Sequence, residues 1–440
     1  MGAENSVTGS CHLLQAGGLT IMVDCGLAQG GDTVAAMDDW PVSPPTIDYL
    51  FLTHAHIDHI GRVPELIRKG FNGEIICSHP TKALLVPMLA DAMKFSGLPK
   101  PEAARLQKQV DDLSWGFEFG QSFDLQKGVS FKMGRAGHIL GSAFVRFEDA
   151  GSGASVLFSG DLGAADTPIL RDPEAPDTAD LVVMESTYGD RLHDPRDQRI
   201  RQLGEILTRA LADNGKVFIP AFSLGRTQEL IYEIDRIFSD PGYRGMFPRL
   251  QGNKRPPVFV DSPLGLTITR IYAGLSAYWD QEARALNERG DHPLDFKGLI
   301  AMEDHRDHLK VCDMNGPAII LAGSGMCTGG RIVDHLQKGI DDPRNDVLFV
   351  GYQAQGTPGR AIQKYCRRPG GYIDLDGVRK TIKARVHTLS GYSAHADQQG
   401  LVDWIESMPA KPGAVKLVHG ETTARTTLAE ILEKRGYEVG

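Results

Sequence analysis

No apolar run in this sequence of 440 residues approaches the length of a membrane-spanning helix, and no basic, apolar, cleavable leader opens it. The six cysteines include no CxxC and no close pair, which is typical of reduced thiols in a cytoplasmic protein. Basic residues are not in excess either. The formal net charge of −9 argues against a nucleic-acid coat protein, but it does not exclude an enzyme that acts on nucleic acid. These absences predict a cytoplasmic protein that binds no membrane.

The length allows two domains with full cores, and 41% hydrophobic residues with 50 glycines are typical of a turn-rich α/β protein. Residues 1–180 show short strand patterns, whereas beyond them apolar runs alternate with helical patterns. Such alternation predicts a parallel sheet with crossover helices. Strand patterns return later, so we predict a first domain over residues 1–190, an inserted domain over 191–371 and a return to the first domain over 372–440.

The segment His54-Ala-His-Ile-Asp-His59 places four metal-ligand side chains within six residues. An apolar run precedes it and a helical pattern follows, so we expect it on a strand-to-helix turn. The spacing lets His54 and His56 reach one metal ion while Asp58 and His59 reach a second. These ligands suit zinc and leave manganese or iron open. The alternative, histidines that only cap a helix, does not account for so dense a cluster.

A site for two metal ions needs further ligands, and two candidates have a suitable setting. His138 follows the strand pattern that starts at Val129, and Asp161 ends the pattern that starts at Val156. A carboxylate can bridge two cations, and two histidines with a carboxylate leave a coordination position open for water. His138 and Asp161 therefore extend the predicted metal centre.

These residues resemble the motifs of a known superfamily. Asp24, the six-residue segment, His138 and Asp161 are similar to the four motifs of the metallo-β-lactamase superfamily. Three further residues resemble motifs A, B and C of its β-CASP branch of nucleic-acid-processing enzymes: Glu185, His395 and His419. The resemblance covers nearly the whole chain. It implies an α/β fold, a metallo-β-lactamase αββα sandwich with an inserted β-CASP domain that has a parallel sheet flanked by helices.

The resemblance also implies which residues bind the metal ions. One ion would be held by His54, His56 and His138, the other by Asp58, His59 and His419, with Asp161 as the bridge. Two zinc ions are implied, with manganese as an alternative. Asp24 would lie behind the ligands and orient one of the histidines.

The catalytic residues implied by the resemblance are Asp58, His395 and Glu185. The two metal ions would activate water for attack on phosphorus. His395 would then act as the general acid that protonates the leaving oxygen, and Glu185 would hold its imidazole in the protonated form. A surface histidine and a helix-capping acid are the alternatives for these two residues.

The resemblance implies a zinc-dependent ribonuclease that hydrolyses single-stranded RNA in RNA processing or degradation. His419 is similar to motif C of RNA-acting members, which Artemis-like DNA nucleases typically lack. In length the chain looks most like the compact prokaryotic relatives of the nuclease subunit of the cleavage and polyadenylation factor. Since no KH-like domain precedes Met1, we expect weak sequence preference. Endonuclease and 5′-3′ exonuclease action both stay open, and so does a homodimer, which is frequent in the branch.

Small and hydroxyl residues follow the strand patterns of the predicted inserted domain, where they suit phosphate oxygens. The candidates for substrate binding are Ser223, Arg226, Ser324, Gly325 and Tyr352. Candidates for stacking on a base are Tyr188, Phe222 and Tyr352, although buried aromatic residues are the commoner case. Ordinary loop chemistry is an equally good explanation for any one of these residues.

Two other functions stay open. A small-ester or thioester hydrolase of the same superfamily would need neither the inserted domain nor His395. A non-catalytic scaffold for RNA processing would be expected to have lost metal ligands, which this chain retains. The pair His305 and His308 lies in a charged stretch and is expected on a solvated surface, and His335 shows no ligand spacing.

Overall fold

The computed structural model describes residues 1–4, 6–194, 196–252 and 255–440, and the chain divides into two units. One unit comprises Met1–Leu192 together with His395–Gly440, and the other comprises His193–Ala394. The second unit is thus inserted into the first. Within the described ranges, no helix is both long enough and apolar enough to cross a lipid bilayer.

Strands predominate in the first stretch of the first unit, as the short apolar runs predict. The strands are β1 (His12–Ala16), β2 (Leu19–Val23), β3 (Tyr49–Phe51), β4 (Glu74–Ser78), β5 (Ser114–Phe117), β6 (Ser122–Asp124), β7 (Val129–Arg135), β8 (Ala143–Asp149), β9 (Ser155–Phe158) and β10 (Leu181–Glu185). The helices are α1 (Ile57–Ile60), α2 (Val63–Arg68), α3 (His79–Lys94) and α4 (Lys100–Leu113).

Strands and helices alternate in the second unit. The helices are α5 (Arg196–Ala210), α6 (Arg226–Ser239), α7 (Pro241–Arg244), α8 (Pro263–Gly274), α9 (Gln281–Glu288), α10 (His305–Asp313), α11 (Arg331–Gly339) and α12 (Pro358–Tyr365). The strands are β11 (Lys216–Pro220), β12 (Val258–Asp261), β13 (Leu299–Ala301), β14 (Ala318–Ala322), β15 (Asp346–Phe349), β16 (Tyr372–Leu375), β17 (Val378–Thr381) and β18 (Arg385–Thr388).

The main sheet of the second unit is parallel, which confirms the predicted crossover architecture. Its strand order is β13-β12-β14-β11-β15-β18, and every neighbouring pair is parallel. Successive side chains of a strand point to opposite faces. Along β11, Val217 and Ile219 pack in one core with residues of α5 and α6, and Phe218 packs in another with residues of α11 and α12. Helices therefore cover both faces, and the strands read as continuous apolar runs.

The chain returns to the first unit through α13 (Gln398–Glu406), β19 (Ala414–Val418) and α14 (Thr422–Lys434). The first unit has two sheets, β1-β2-β3-β4-β5 and β19-β10-β9-β8-β7-β6. Phe51 of one sheet meets Phe131 and Phe147 of the other edge-on, with ring centroids 4.9 and 4.7 Å apart. Helix α3 packs on one sheet, and α13 and α14 pack on the other. The predicted αββα sandwich with an inserted domain is confirmed.

The inserted unit ends later than the expected boundary at residue 371. β18 pairs in parallel with β15, with Val386 opposite Val347, so it completes the second sheet instead of rejoining the first unit. The hairpin of β16 and β17 also belongs to the second unit, which extends to Ala394. A short apolar strand pattern does not indicate which sheet edge the strand joins, so the expected boundary and the end of this unit differ by residues 372–394.

Candidate active site

The histidine-rich segment lies on the predicted turn between β3 and α1. Its first two histidines precede the helix, and Asp58 and His59 lie within it. The backbone around Gly26, shortly after β2, approaches this turn so closely that a Cβ atom there would lie 1.6 Å from the carbonyl oxygen of Asp58. Only glycine permits such a contact, so Gly26 is required for the position of the turn.

A first group of ligand atoms gathers His54, His56, His138 and Asp161. His56 Nδ1 lies 3.1 Å from both His54 Nε2 and His138 Nε2, and Asp161 Oδ2 lies 3.5 Å from His54 Nε2 and 3.7 Å from His138 Nε2. Ligands bound tetrahedrally at about 2.0–2.1 Å would be about 3.3 Å apart. The spacing of this group therefore suits one metal ion.

A second group gathers Asp58, His59 and His419. The Nε2 atoms of His59 and His419 are 3.2 Å apart, and Asp58 Oδ2 lies 3.6 Å from His419 Nε2. Asp161 faces this group with its other oxygen, since its Oδ1 lies 3.2 Å from His59 Nε2 and 3.7 Å from His419 Nε2. One carboxylate thus contacts both groups, an arrangement that suits a bridge between two cations.

Hydrogen bonds behind the ligands determine which ring nitrogens face the centre. His59 Nδ1 donates to Asp24 Oδ2 at 2.6 Å, and His54 Nδ1 donates to Thr53 Oγ1 at 3.1 Å. Thr53 in turn donates its hydroxyl and its backbone N–H to Asp24. The Nε2 lone pairs of both histidines are therefore left to face the other ligand atoms. Nitrogen and carboxylate lone pairs therefore converge on one centre, which is the chemistry that a bound cation satisfies.

His419 is held in the same manner by a residue that the sequence interpretation did not identify. Its Nδ1 donates to Thr187 Oγ1 at 3.1 Å, and that hydroxyl donates to the His419 carbonyl oxygen at 3.0 Å. The His419 backbone has φ of 53° and its N–H donates to Ala3 O at 2.7 Å. Thr187 and Thr53 lie next to motif residues at strand ends, and this adjacency was the available signal.

His395 lies beside the first group and is paired with Glu185. Its Nδ1 is 3.1 and 3.3 Å from the two carboxylate oxygens of Glu185, and its Nε2 is 3.9 Å from Asp161 Oδ2. Glu185 is buried at the end of β10 and also accepts the backbone N–H groups of Leu162 and Thr187. The carboxylate is therefore held in place from three sides, and the imidazole that it orients presents its other nitrogen to the ligand group.

The electrostatics of the centre follow from burial and from its carboxylates. Burial lowers the pKa of His54 well below its ordinary value, so the ring is neutral, as a metal ligand must be. Burial opposes ionisation of Asp161, yet the rings of His419 and its neighbours hold the pKa of Asp161 well below its usual range. Burial also opposes protonation of His395, but Glu185 and Asp161 outweigh it and raise the pKa of His395 to about 9.

The residues expected to bind substrate in the second unit differ in their surroundings. Ser223 and Ser262 share a hydrogen bond of 3.0 Å at the ends of β11 and β12. Ser324 accepts the backbone N–H of Thr328 at 2.9 Å, and Tyr352 is half-buried. Ser223, Ser324 and Tyr352 are all partly accessible, as contact with a substrate requires.

Arg226 does not have the surroundings expected of a phosphate ligand. Its side chain is only 6% exposed and is ion-paired with Glu229, with its guanidinium 5.9 Å from the ring centroid of Tyr392. Glu229 already compensates the charge, so Arg226 is part of the core of the second unit. These surroundings favour a packing role, and substrate binding by Arg226 stays a prediction.

Gly325 and two of the stacking candidates are also explained by packing. A Cβ atom on Gly325 would lie 2.7 Å from the ring of Phe222, so a glycine is required for that contact. Tyr188 is buried, with the guanidinium of Arg191 over its ring at 5.7 Å. Phe222, like Tyr352, is half-buried.

His308 is not on a solvated surface, and that expectation was wrong. His308 and His335 are fully buried, and each lies 2.6 Å from the same oxygen of Asp261. His305 is exposed, as expected. The sequence interpretation missed this cluster because its members come from β12, α10 and α11, and no spacing within one segment reveals it.

Family models match three successive parts of the chain. The model described as "Metallo-beta-lactamase superfamily" matches residues 6–221, and "Beta-Casp domain" matches residues 227–362. The model described as "Zn-dependent metallo-hydrolase RNA specificity domain" matches residues 379–439.

The chain is similar to named proteins over its whole length. It is 38% identical to a protein of Thermus thermophilus named "Ribonuclease TTHA0252", covering 100% of this chain and 96% of that protein. It is 29% identical to "Transcription termination factor FttA" of Methanococcus maripaludis, covering 99% and 68%, and 30% identical to "Endoribonuclease YSH1" of Candida glabrata, covering 96% and 54%. A solved protein of unknown function from Enterococcus faecalis has the same fold, with a TM-score of 0.55, 12% identity and coverage of 100% and 96%.

Proposed function

Because the chain belongs to the β-CASP branch of the metallo-β-lactamase superfamily, we propose that it is a ribonuclease that hydrolyses phosphodiester bonds of single-stranded RNA. The names of its relatives support this: a ribonuclease is 38% identical along the whole chain, and a more distant relative is named an endoribonuclease. The description of the family model over residues 379–439 also points to RNA.

One geometric observation carries the proposal: His395, oriented by Glu185, lies beside a centre in which Asp161 contacts two groups of ligands. Hydrolysis of a phosphodiester needs an activated water, compensation of phosphate charge and a proton for the leaving oxygen. Hydrolysis of an ester with a good leaving group does not need a proton donor for that group. The His395–Glu185 pair therefore favours a nuclease over a small-ester or thioester hydrolase.

Seven residues would hold two metal ions, zinc by the chemistry of the ligands, with manganese as the alternative. They are His54, His56 and His138 for one ion, Asp58, His59 and His419 for the other, and Asp161 between them. When bound, such ions supply Lewis acidity, which lowers the pKa of water and compensates the charge of a phosphodiester. Asp24 keeps His59 Nε2 available as a ligand directly, and it keeps His54 Nε2 available through Thr53.

The residues of the chain then provide the proton transfer. His395 holds a proton on Nδ1 toward Glu185 and a second on Nε2, which faces the centre. The Nε2 proton passes to the leaving oxygen, and Glu185 stabilises the imidazolium before the transfer. Asp58, whose side chain is 19% exposed, contributes negative charge at the accessible side of the second group.

We also propose that the protein acts in the cytoplasm, where its six unpaired cysteines would stay reduced. A homodimer stays a prediction, which light scattering of the purified protein would test. Whether the enzyme cuts internally or from the 5′ end would be read from the product ladder of the assay below.

The test is a cleavage assay on end-labelled single-stranded RNA and DNA of one sequence, with metal content measured in parallel. We expect RNA cleavage that His395→Ala reduces about 10²–10⁴-fold with metal content unchanged, the usual scale of general acid catalysis. His79→Ala, at a half-exposed site of the same unit, is the matched control and should retain full activity. Equal cleavage of DNA would contradict the RNA preference, and no cleavage by a metal-loaded protein would contradict the nuclease assignment.

A further inference from the structure

The inserted unit contains a second cluster of metal-ligand side chains, which no motif of the sequence indicated. His308 and Cys312 are four residues apart on α10 and so lie on one face of that helix. His335 comes from α11, and the three side chains form a group of closely spaced ligand atoms. All three are buried, with 0%, 6% and 0% of their surface exposed.

Their spacing resembles that of ligands around a single cation. Cys312 Sγ lies 3.5 Å from His335 Nδ1 and 3.7 Å from His308 Nε2. A tetrahedral zinc ion with bonds of about 2.3 Å to sulfur and 2.0–2.1 Å to nitrogen would hold these atoms about 3.5–3.6 Å apart. Asp334 Oδ2 lies 3.0 Å from His308 Nε2, beside this group of three. Cys312 Sγ is nearly equidistant from both nitrogens of His308, at 3.7 and 3.8 Å, while His308 Nδ1 is held by Asp261.

Asp261 orients the histidines of this cluster as Asp24 orients His59 in the first unit. His308 Nδ1 and His335 Nε2 both lie 2.6 Å from Asp261 Oδ2, the same distance as between His59 Nδ1 and Asp24. Arg331 Nη1 also donates to Asp261, with Oδ1 as the acceptor at 2.8 Å. A carboxylate behind a ligand histidine is the usual support of a metal site.

The hydrogen bonds to Asp261 leave acceptors facing acceptors on the other side of the rings. Once each histidine gives its N–H to Asp261, His308 Nε2 faces a carboxylate oxygen of Asp334 and His335 Nδ1 faces the sulfur of Cys312. A cation that binds there must displace the thiol proton of Cys312.

We propose that His308, Cys312 and His335, with Asp334 as the fourth ligand, form a zinc site that is separate from the active centre. The site joins α10 to α11 at the carboxyl end of β12, and its role is structural. Closed four-ligand sites with a cysteine are typical of structural zinc. The proposal does not depend on the ribonuclease assignment, because it concerns residues outside that centre.

Cobalt spectroscopy on the full-length protein tests the site. The ligands of the active centre include no cysteine, so after replacement of zinc by Co²⁺ a thiolate-to-cobalt charge-transfer band reports on Cys312. We expect the band in the unaltered protein and in Cys366→Ser, a half-buried cysteine of the same unit, and its loss in Cys312→Ser. Zinc content should fall by one equivalent in Cys312→Ser and in His335→Ala.

The unaltered protein alone can refute the proposal, so the test does not depend on a variant that folds. Absence of the charge-transfer band in cobalt-loaded protein would overturn it. A band that persists in Cys312→Ser would overturn it as well, because the thiolate would then be another cysteine. Equal zinc content in folded Cys312→Ser, His335→Ala and Cys366→Ser would do the same.

Discussion

Glu185→Gln is the sharpest test of the proposed proton transfer, because it removes a charge while keeping the shape. In the native site, the Glu185 carboxylate accepts from His395 Nδ1 at 3.1 Å and from the N–H groups of Leu162 and Thr187 at 2.6 and 3.2 Å. A glutamine can still accept the first two hydrogen bonds through its carbonyl oxygen. Its amide N–H groups would then face the Thr187 N–H, which costs about 1–3 kcal/mol of stability for a buried donor without an acceptor.

The larger effect concerns the protonation of His395. Glu185 is the strongest of the charges that raise the pKa of His395 to about 9 against burial, which lowers it. An opposite charge within about 4–6 Å shifts a pKa by about 1–3 units, equivalent to about 1.4–4 kcal/mol. A general acid works in its protonated form, so the cleavage rate falls as the pH rises through the pKa of that acid. In Glu185→Gln that fall should begin about 1–3 pH units lower.

The assay is the pH dependence of single-turnover cleavage of single-stranded RNA, with metal content and thermal unfolding measured on each sample. At pH values above the pKa of His395 in both proteins, the variant should be about 10–10³-fold slower than the native enzyme. At pH values below both pKa values, the two rates should converge. Glu148→Gln, a half-exposed carboxylate on β8, is the control and should leave the profile unchanged. A metal-loaded Glu185→Gln protein with the native pH profile would refute the role of Glu185 and, with it, the assignment of His395.

Three further changes test the centre and the fold. Asp161→Ala should lower metal occupancy in both ligand groups, because its two oxygens face different groups, and unchanged metal content in elemental analysis would exclude the bridge. Asp24→Asn should weaken metal affinity about 10–100-fold, since an amide cannot accept from all the donors around Asp24, and competition with a chelator measures this. Phe51→Ala should reduce the free energy of unfolding by about 3–5 kcal/mol by leaving a cavity between the two sheets, and denaturant unfolding in which the loss stays below about 1 kcal/mol would contradict that packing.

The candidate active site could be predicted from the sequence because its residues follow strands. His54 and His56 come just after β3. Glu185 is the last residue of β10, and His419 directly follows β19, the parallel neighbour of β10. Parallel strands end at the same edge of a sheet, so residues far apart in the sequence meet there. The resemblance supplied the assignment to roles, which strand patterns alone do not contain.

The substrate-binding residues were harder to predict, because the same residue types serve packing. Arg226 begins α6 in a position that suits phosphate, yet Glu229 one turn later neutralises it inside the core. Gly325 lies in a sequence typical of a loop, but a glycine is needed there because a Cβ atom would clash with the ring of Phe222. In both cases the deciding partner is a neighbouring side chain whose direction the sequence does not give.

The two clusters of metal-ligand residues differ in access, and this difference indicates different roles. In the first unit, His395 and Asp58 retain 18% and 19% exposure, so one side of the centre is open to a substrate. In the second unit, His308 and His335 have no exposed surface, and Asp334, with 51% of its side chain exposed, is the member that reaches solvent. Catalytic metal sites keep a position open and structural sites close it with a fourth protein ligand. A carboxylate that orients a ligand histidine therefore suits a catalytic metal site in the first unit and a structural metal site in the second.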